Sequence, residues 1–568
     1  MNIFRCTEIN VIYIIIDSVK ILEWRITVKT ALIDCYTDEP ASFGVPPYIS
    51  PKIRLIAGIF LSKGISVDYF TIDQVREDIL WKSFNDYDFL LIHGGLTTPG
   101  HYIGGTPAAM NEYKRIIENN KKTTVIVSGP ITLGYSLKGG REAIKAQLDG
   151  ADFVFADEIE IAKLLGVNTG KTFYENANVF YSKGASIVRQ HPNYPEVIVE
   201  FDISRGCERK DGHCSFCTES IMYGSFVSRD EEGIMNELYA LREVGVKAIR
   251  FGRSSNVLAY GFDFNNYQPN IESVREIFSA TCEILDPEVF HVDNGNPLFI
   301  ANHRKKAEEI LSIVKQYCTS GNSLSLGVES FDEHVREINN LGGSIDDIKF
   351  AIRMINEVGA EREEGIPKLL PGINMIFGLP GTTEETADID IKNLLDLKNK
   401  NQLVRRVNIR QPMVFSGAPL YDMTMPKIKH KWYRYYKERI RNEFDSVMIK
   451  RIFPCGSLLR RVIPEYSRGM ITFGRQLGSY PILVGSPSKF SHPTDMIVVG
   501  HGKRSVTALP YGSSLNMLSQ RELSYIPGIG KARAEKIVLK RPFFQWSEVS
   551  NVIGNDETEF LKKIGIKI

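Results

Sequence analysis

Along most of this chain, short apolar runs alternate with stretches whose apolar positions recur at helical spacing. Between 29 and 185 the apolar runs fall at 31–35, 67–72, 89–93, 124–127 and 153–155, and helical spacing falls at 51–63, 108–119 and 142–148. Runs that short, separated by helices, predict a parallel, doubly wound sheet in a Rossmann-like α/β domain. From 190 to 425 a strand-then-helix unit repeats six times, with strands predicted at 197–203, 248–251, 290–292, 324–327, 373–377 and 407–410. Buried parallel strands read as short apolar runs. Six such units predict a partial (β/α)6 barrel, with its chemistry at the C-terminal ends of the strands.

The pattern changes again at 426–512. Residues 427–461 carry eleven Lys/Arg against three Asp/Glu, with Trp432, Tyr433, Tyr435 and Tyr436 interleaved. A small β-rich segment follows, with strands predicted at 480–484, 496–499 and 505–509, and 513–568 reads as helices joined by Gly-containing turns. Residues 1–28 precede the first strand of the Rossmann-like domain. They read either as the product of a misassigned start codon or as a small extra strand or helix.

Hydrophobic residues make up 43% of the 568, charged residues 24%, and the net charge is +1 with a pI near 7.6. That balance belongs to a soluble, core-burying protein and excludes a disordered or uniformly basic one. Affinity for nucleic acid would have to come from local patches. Eight cysteines, of which three cluster, point to a reducing compartment and not to a disulfide framework. The apolar run at 10–16 is too short to span a bilayer, is followed by Asp17, and lacks a signal-peptide cleavage site. The expectation is a cytoplasmic protein with no membrane partner.

The three clustered cysteines are Cys207, Cys214 and Cys217, in a C-x6-C-x2-C loop directly after the first predicted barrel strand. Three thiolates in one loop can ligate three irons of a 4Fe-4S cubane and leave the fourth iron open to a chelating ligand. A structural zinc site would want a fourth Cys or His, and His213, adjacent to Cys214, is awkwardly placed for it. Taken alone the loop leaves both readings open.

The order of motifs around it resembles the radical S-adenosylmethionine (radical SAM) superfamily, whose usual spacing is C-x3-C-x2-C; this loop is longer by three residues. Phe216 stands at the family's aromatic position beside the adenine. Phe251-Gly252-Arg253-Ser254 stands where the family holds the methionine amino group, without the usual Gly-Gly-Glu. Leu326-Gly-Val-Glu329-Ser330 is similar to the fourth-strand motif that bonds the ribose. Ile376-Phe-Gly378-Leu-Pro-Gly381 is similar to the fifth-strand motif near the adenine, and Asn408-Ile-Arg410-Gln-Pro closes the series. Each motif is weak by itself; five in order over the whole barrel are not. The resemblance implies one 4Fe-4S cluster, bound S-adenosylmethionine, reductive cleavage to a 5′-deoxyadenosyl radical, and an electron donor as partner. The cofactor carries the hard step, and the protein positions it and excludes water.

The N-terminal domain resembles the cobalamin-binding domains that precede many radical SAM cores, on its five strands and on phrases such as Gly44-Val-Pro-Pro-Tyr and Val127-Ser-Gly-Pro. The Asp-x-His-x-x-Gly loop that usually displaces the lower base is absent: the stretch reads Asp34-Cys-Tyr-Thr-Asp-Glu-Pro. His93 lies at a strand end, where a hydrogen-bonded loop residue is the commoner role. Cobalamin therefore stays open, base-off if bound, with a degenerate domain shaping the substrate cavity as the favoured expectation. Cys35, with Cys6, cannot supply the second cluster of methylthio-transferring relatives. Cys282, Cys318 and Cys455 read as small buried hydrophobes.

Leu523-Ser-Tyr-Ile-Pro-Gly528-Ile-Gly530-Lys531-Ala-Arg533 resembles a helix-hairpin-helix motif, and the segment from 543 resembles its second half. Gly528 and Gly530 would permit a tight turn that offers amide donors at a helix start, with Lys531 and Arg533 adding charge for a phosphate. From Leu515 onward nine Lys/Arg stand against six Asp/Glu, a modest surplus. The β-rich segment is faintly similar to the RNA-binding barrel of some tRNA-modifying radical SAM enzymes. The domain order as a whole resembles an uncharacterised, largely archaeal family of radical SAM proteins with a C-terminal helix-hairpin-helix. The leading expectation is an enzyme acting on RNA, tRNA foremost. Behind it stand an enzyme acting on a small molecule or protein, and an iron–sulfur nucleic-acid-binding protein without turnover.

Overall fold

The computed structural model describes residues 28–36, 38–39, 42–43, 46–95, 104–136, 141–168, 170–210 and 212–568. The segment 1–27, Thr37, Pro40, Gly44 and Val45 therefore lie outside the described residues, with Cys6 among them.

Five parallel strands, β1 (Lys29–Asp34), β2 (Ser66–Thr71), β3 (Phe89–His93), β4 (Thr124–Ser128) and β5 (Phe153–Phe155), form the first sheet in the order β2-β1-β3-β4-β5. This is a doubly wound arrangement whose order reverses at β1/β3, where such sheets open a crevice at their C-terminal ends. Strand β2 stops at Thr71 because Thr71 and Gln74 form a capping box that starts a helix at Ile72. The helix expected over 142–148 does not form. Arg141–Glu142 pairs in parallel with Met413–Val414, and Tyr135 bridges Ile144. Seven residues are too few to nucleate a helix unaided, and strand partners from elsewhere in the chain claim the backbone.

Helix α1 (Pro51–Ser62), capped by Ser50, lies against α2 (Phe173–Gly184) at an approach only glycine allows. A Cβ on Gly58 would stand 1.8 Å from Phe180 O, and one on Gly184 1.8 Å from Arg54 O. Arg54 then reaches across to the second domain. Its Nε donates to Glu237 Oε1 at 2.9 Å and its Nη2 to the Glu200 carbonyl at 2.8 Å. Glu237 sits on α3 (Glu231–Val244) and also pairs with Arg229 at 2.5 Å, all three side chains buried.

The second domain carries the six expected strands: β6 (Ile198–Asp202), β7 (Ala248–Arg253), β8 (Val289–Val292), β9 (Asn322–Glu329), β10 (Leu369–Ile376) and β11 (Val407–Arg410). They form two parallel halves, β8-β7-β6 and β9-β10-β11, joined by a bridge between Gly295 and Leu326. Tyr48–Ile49 from the first domain extends the sheet beside β6. Along β6 to β8 the residues Val199, Phe201, Ile249, Phe251, Phe290 and Val292 point outward into the common core. Their neighbours Glu200, Arg250, His291 and Asp293 are buried and polar on the other face. The lumen is therefore polar.

Helix α4 (His430–Ile440) opens the basic–aromatic stretch and spends two of its rings on the barrel. Tyr436 is fully buried, stacks on Phe377 at 4.5 Å, and its hydroxyl donates to Asp390 Oδ2 at 3.0 Å; Tyr433 donates to the Ile409 carbonyl at 3.3 Å. A closed five-stranded barrel follows: β12 (Leu458–Arg468), β13 (Ile471–Arg475), β14 (Leu483–Ser486), β15 (Thr494–His501) and β16 (Ser505–Pro510). Its order is β12-β13-β14-β16-β15 and back to β12, antiparallel except for β14 beside β16, the connectivity of an OB-type barrel. The strand expected at 480–484 begins later, at Leu483. Strands β12 and β13 were not expected; in β12, bulges at Leu459/Val462 and Pro464/Tyr466 break the alternation that announces a strand.

The loop between β13 and β14 closes the N-terminal end of the six-strand barrel. Leu477 packs with Tyr48, Ile198, Ala248 and Val289, and the Tyr48 hydroxyl donates to the Gly478 carbonyl at 2.9 Å. Four short helices end the chain, among them α5 (Gly530–Lys540), and pack on Leu458, Ile497, Val499 and Leu509 of the small barrel. Among the described residues no helix is long and apolar enough to cross a membrane.

Candidate functional site

The cysteine loop leaves β6 and crosses the C-terminal mouth of the barrel, held by bonds from three directions. The Gly206 N–H donates to Glu219 Oε1 at 3.0 Å, and the Gly206 carbonyl accepts from Ser255 Oγ at 2.6 Å. Glu208, in the lengthened part of the loop, accepts from Asn256 Nδ2 at 2.8 Å and Asn296 Nδ2 at 2.9 Å. Arg209, in the same loop, donates to the Asn340 carbonyl at 2.8 Å and to Cys214 Sγ at 3.2 Å. Ser215 bonds Asn339 Oδ1 at 2.7 Å. The residues between Cys207 and Cys214 thus anchor the loop themselves, and no family motif marks Glu208, Arg209, Asn256, Asn296 or Asn339.

Cys207, Cys214 and Cys217 are free thiols, partly exposed, and close enough to influence one another's charge. Each faces one backbone N–H, from Arg209, Gly342 and Glu219 respectively. Burial pushes all three thiols up, Cys217 to about 12, so iron must draw the protons off as it binds. Among the described residues no three His, Cys, Asp or Glu side chains converge as ligands of a single ion. Thiolates of a cubane sit on separate irons and need not converge on a point. Three adjacent free thiols with N–H donors at the sulfurs fit such a cluster, since hydrogen bonds to sulfur set its potential.

Around the loop the structure gathers most of the expected residues. Phe216 and Ile376 belong to one apolar group with Cys214, Val335, Leu341 and Leu379. Gly378 follows at φ +109, where a Cβ would meet Ile428 at 3.3 Å. Glu329 ends β9 with φ +65 and faces Cys214 and Cys217; burial pushes its carboxyl up to about 8, against the pull of Arg336 and Arg410. A non-glycine residue at that φ is strained and is held there by its surroundings. Arg336 does so, donating to the Val328 and Ser330 carbonyls at 2.7 and 2.8 Å.

Gly252, Arg253 and Ser254 close the second side. Asn294 Nδ2 bridges the Gly252 and Ser254 carbonyls at 3.1 and 3.0 Å. The Arg253 side chain is taken up in a buried pair with Glu219, the carboxylate that also holds Gly206, at 3.0 Å over the Tyr223 ring. Ser254 Oγ lies 2.6 Å from Ser204 Oγ, and Ser330 Oγ donates to Asp390 at 3.1 Å, so both hydroxyls serve the scaffold.

His93 is fully buried, with Nδ1 3.0 Å from Ser128 Oγ and 4.0 Å from Glu158. It is enclosed within the first domain. At the far end of the chain Gly528 and Gly530 have φ +85 and +57, and no atom stands within 4 Å of a Cβ placed on Gly530. Lys531 is exposed on that turn. Arg533 stays exposed but is engaged on the turn itself, donating to the Gly528 carbonyl at 2.6 Å and pairing with Glu557 at 3.0 Å. These residues belong to a separate unit and do not join the mouth of the six-strand barrel.

The Radical SAM superfamily profile matches residues 201–392, from the cysteine loop through the fifth strand. An uncharacterized protein of Methanocaldococcus jannaschii is 37% identical over 504 residues, 84% of this chain and 92% of that one. One of Archaeoglobus fulgidus is 35% identical over 546 residues, 94% of this chain and 99% of that one. Among solved structures, TsrM, a radical S-adenosylmethionine methyltransferase from Kitasatospora setae, aligns with a TM-score of 0.45 at 12% identity, covering 69% of this chain and 74% of that one. With the superfamily profile on the cysteine loop and barrel, and with relatives matched along nearly their whole length, the chain belongs to the radical SAM superfamily, in one family with these archaeal proteins, and is an enzyme.

Proposed function

We propose that this radical SAM enzyme modifies RNA, tRNA foremost, and that its C-terminal units deliver the RNA. Cys207, Cys214 and Cys217 would hold a 4Fe-4S cluster, with S-adenosylmethionine between Phe216 and Ile376 on the adenine side, Glu329 at the ribose, and the Gly252–Ser254 backbone at the methionine. Bound there, the reduced cluster supplies the electron that cleaves S-adenosylmethionine to methionine and a 5′-deoxyadenosyl radical. The protein's own part is to keep the mouth rigid, through Asn294, Arg336 and Arg209, and to exclude water. His93 is turned inward, and part of the loop that would carry a ligand after β1 lies outside the described residues.

The observation that carries the RNA reading is the turn at Gly528–Lys531. Two positive-φ glycines, open space above Gly530 and an exposed lysine at the start of an eleven-residue helix suit a backbone phosphate. The OB-type barrel beside it adds an exposed Tyr466 stacked on Phe473 at 5.1 Å, a surface on which bases can stack. Filter binding of tRNA to the full chain tests the reading. Affinity should fall steeply with salt as counterions are released, and Lys531→Glu and Gly530→Val should each weaken it. Absent or salt-independent binding would reject RNA, and nucleoside mass spectrometry with and without the gene would identify the modified base.

A further inference from the structure

The lumen beneath the cysteine loop is not the tightly filled interior of a closed barrel. On β9 to β11, Leu326, Ile373, Val407 and Ile409 face the common core, so alternation turns Gly327, Asn374, Arg406, Asn408 and Arg410 inward. These five, with Tyr480, keep accessible surface although they lie in the middle of the molecule. A cavity therefore descends from the mouth toward the floor loop.

Tyr480 is that floor. Held at φ +52, it rises from the small barrel and donates to Asp293 Oδ2 at 2.5 Å, while Ser325 Oγ donates to its hydroxyl at 3.1 Å. Neighbouring guanidinium groups at this level are engaged, Arg405 by the Tyr480 carbonyl, to which its Nη2 donates at 2.5 Å. Arg250 is pinned between Glu200 at 3.0 Å and Asp293 at 2.9 Å, and Arg441 is taken by Asp445. Arg406 lies with its guanidinium 4.0 Å from the centre of the Tyr480 ring, and among the described residues it has neither a side-chain hydrogen bond nor an ion pair. Its carbonyl accepts from the Ile373 N–H at 3.0 Å, which fixes where the side chain starts. Burial disfavours its charge, as do Arg410 and Arg441, against the pull of Tyr480 and of Asp293, whose carboxylate is already bonded to Arg250 and Tyr480.

We infer that Arg406 is the anion-binding residue of the substrate cavity, and that the substrate carries a phosphate or carboxylate that reaches the barrel floor. This rests on the enzymatic reading of the barrel but not on RNA as the substrate. A desolvated guanidinium with no ion pair or side-chain hydrogen bond of its own is unfavourable until an anion arrives. Its planar fork suits two oxygens of one phosphate or carboxylate, and the Tyr480 ring holds it flat from below. The small barrel thus completes the substrate site, which the six-strand domain alone would leave without a floor.

The test is a titration of the anaerobically reconstituted full chain with inorganic phosphate, followed by phosphorus NMR, and separately with acetate, followed by carbon NMR. Saturable uptake of one or both is expected, and the tighter anion identifies the source. Arg406→Met should weaken uptake about tenfold or more, the weight of a charge-assisted hydrogen bond. Arg406→Lys, which keeps the charge without the planar fork, should fall between. Lys531→Glu, run in parallel, should retain Arg406-dependent uptake. No saturation with either anion, equal uptake in wild type and both Arg406 variants, or loss only in Lys531→Glu would overturn the inference. Should Arg406→Met fail to fold, Arg406→Lys decides: wild-type uptake there overturns it. Salt-independent tRNA binding with intact Arg406-dependent uptake would reject the RNA reading and leave this one standing.

Discussion

Gly252→Ala is the sharpest steric test of the mouth. A Cβ there would stand 1.7 Å from Glu200 Oε1, 2.5 Å from Arg250 Nε and 2.8 Å from Glu200 Cδ. The carboxylate would have to retreat by more than an ångström. It has nowhere to go: Glu200 is fully buried, Arg250 is 2% exposed, and Asp293 holds the guanidinium from the other side at 2.9 Å. Breaking one partner from a buried pair costs about 3–5 kcal/mol, and the lower end applies because Arg250 keeps Asp293. For a unit of this size, about 3 kcal/mol lowers the melting temperature by roughly 6–12 °C. Thermal melts of the anaerobic protein measure it, with the double variant Gly252→Ala/Glu200→Asp as the control. Shortening the acid by one methylene relieves the overlap, so the pair should be far from additive. A Gly252→Ala melt within about 2 °C of wild type, or simple additivity with Glu200→Asp, would refute the packing described for the strand end.

Replacing Cys207, Cys214 and Cys217 together by Ala should abolish the binding of about four irons per chain and end 5′-deoxyadenosine formation, measured by iron assay and chromatography. Glu237→Ala would leave Arg54 and Arg229 buried without their shared acid, and should lower stability by about 3–5 kcal/mol, read from denaturant melts; a neutral result would show that the two domains are not joined there. Asp390, which burial raises to about 7, favours the folded state in its protonated form, so its contribution is lost as pH rises from about 4 to 7. Asp390→Asn lacks that loss. Its stability relative to wild type should therefore climb by roughly 4 kcal/mol over that range, and a pH-independent difference would contradict it.

The cysteine loop, the six barrel strands and the five strands of the first sheet were legible in the amino-acid pattern because each depends on local spacing. A buried parallel strand must be a short apolar run, and a cluster loop must carry its thiols within a few residues of one another. The same holds for the turn at Gly528 and Gly530, whose positive φ the glycines announce. What spacing could not reveal lies in pairings between distant parts of the chain. The stretch 142–148 has helical spacing, yet Met413–Val414, some 270 residues on, captures its start as a strand. Strand β12 hides behind two bulges and the pair Arg460–Arg461, and only closure with β15 and β13 makes it a strand. Arg253 and Arg533 read as ligand contacts by position, whereas Glu219 and Glu557, brought beside them by folding, pair with both guanidinium groups, Arg253 buried and Arg533 at the surface. Tyr480 under Arg406 is the clearest case. Nothing near either residue in sequence links them, and their meeting depends on a loop of one barrel closing another. Local chemistry is written in neighbouring residues; which buried charge finds a partner, and which is left for a ligand, is decided only when the whole chain has packed.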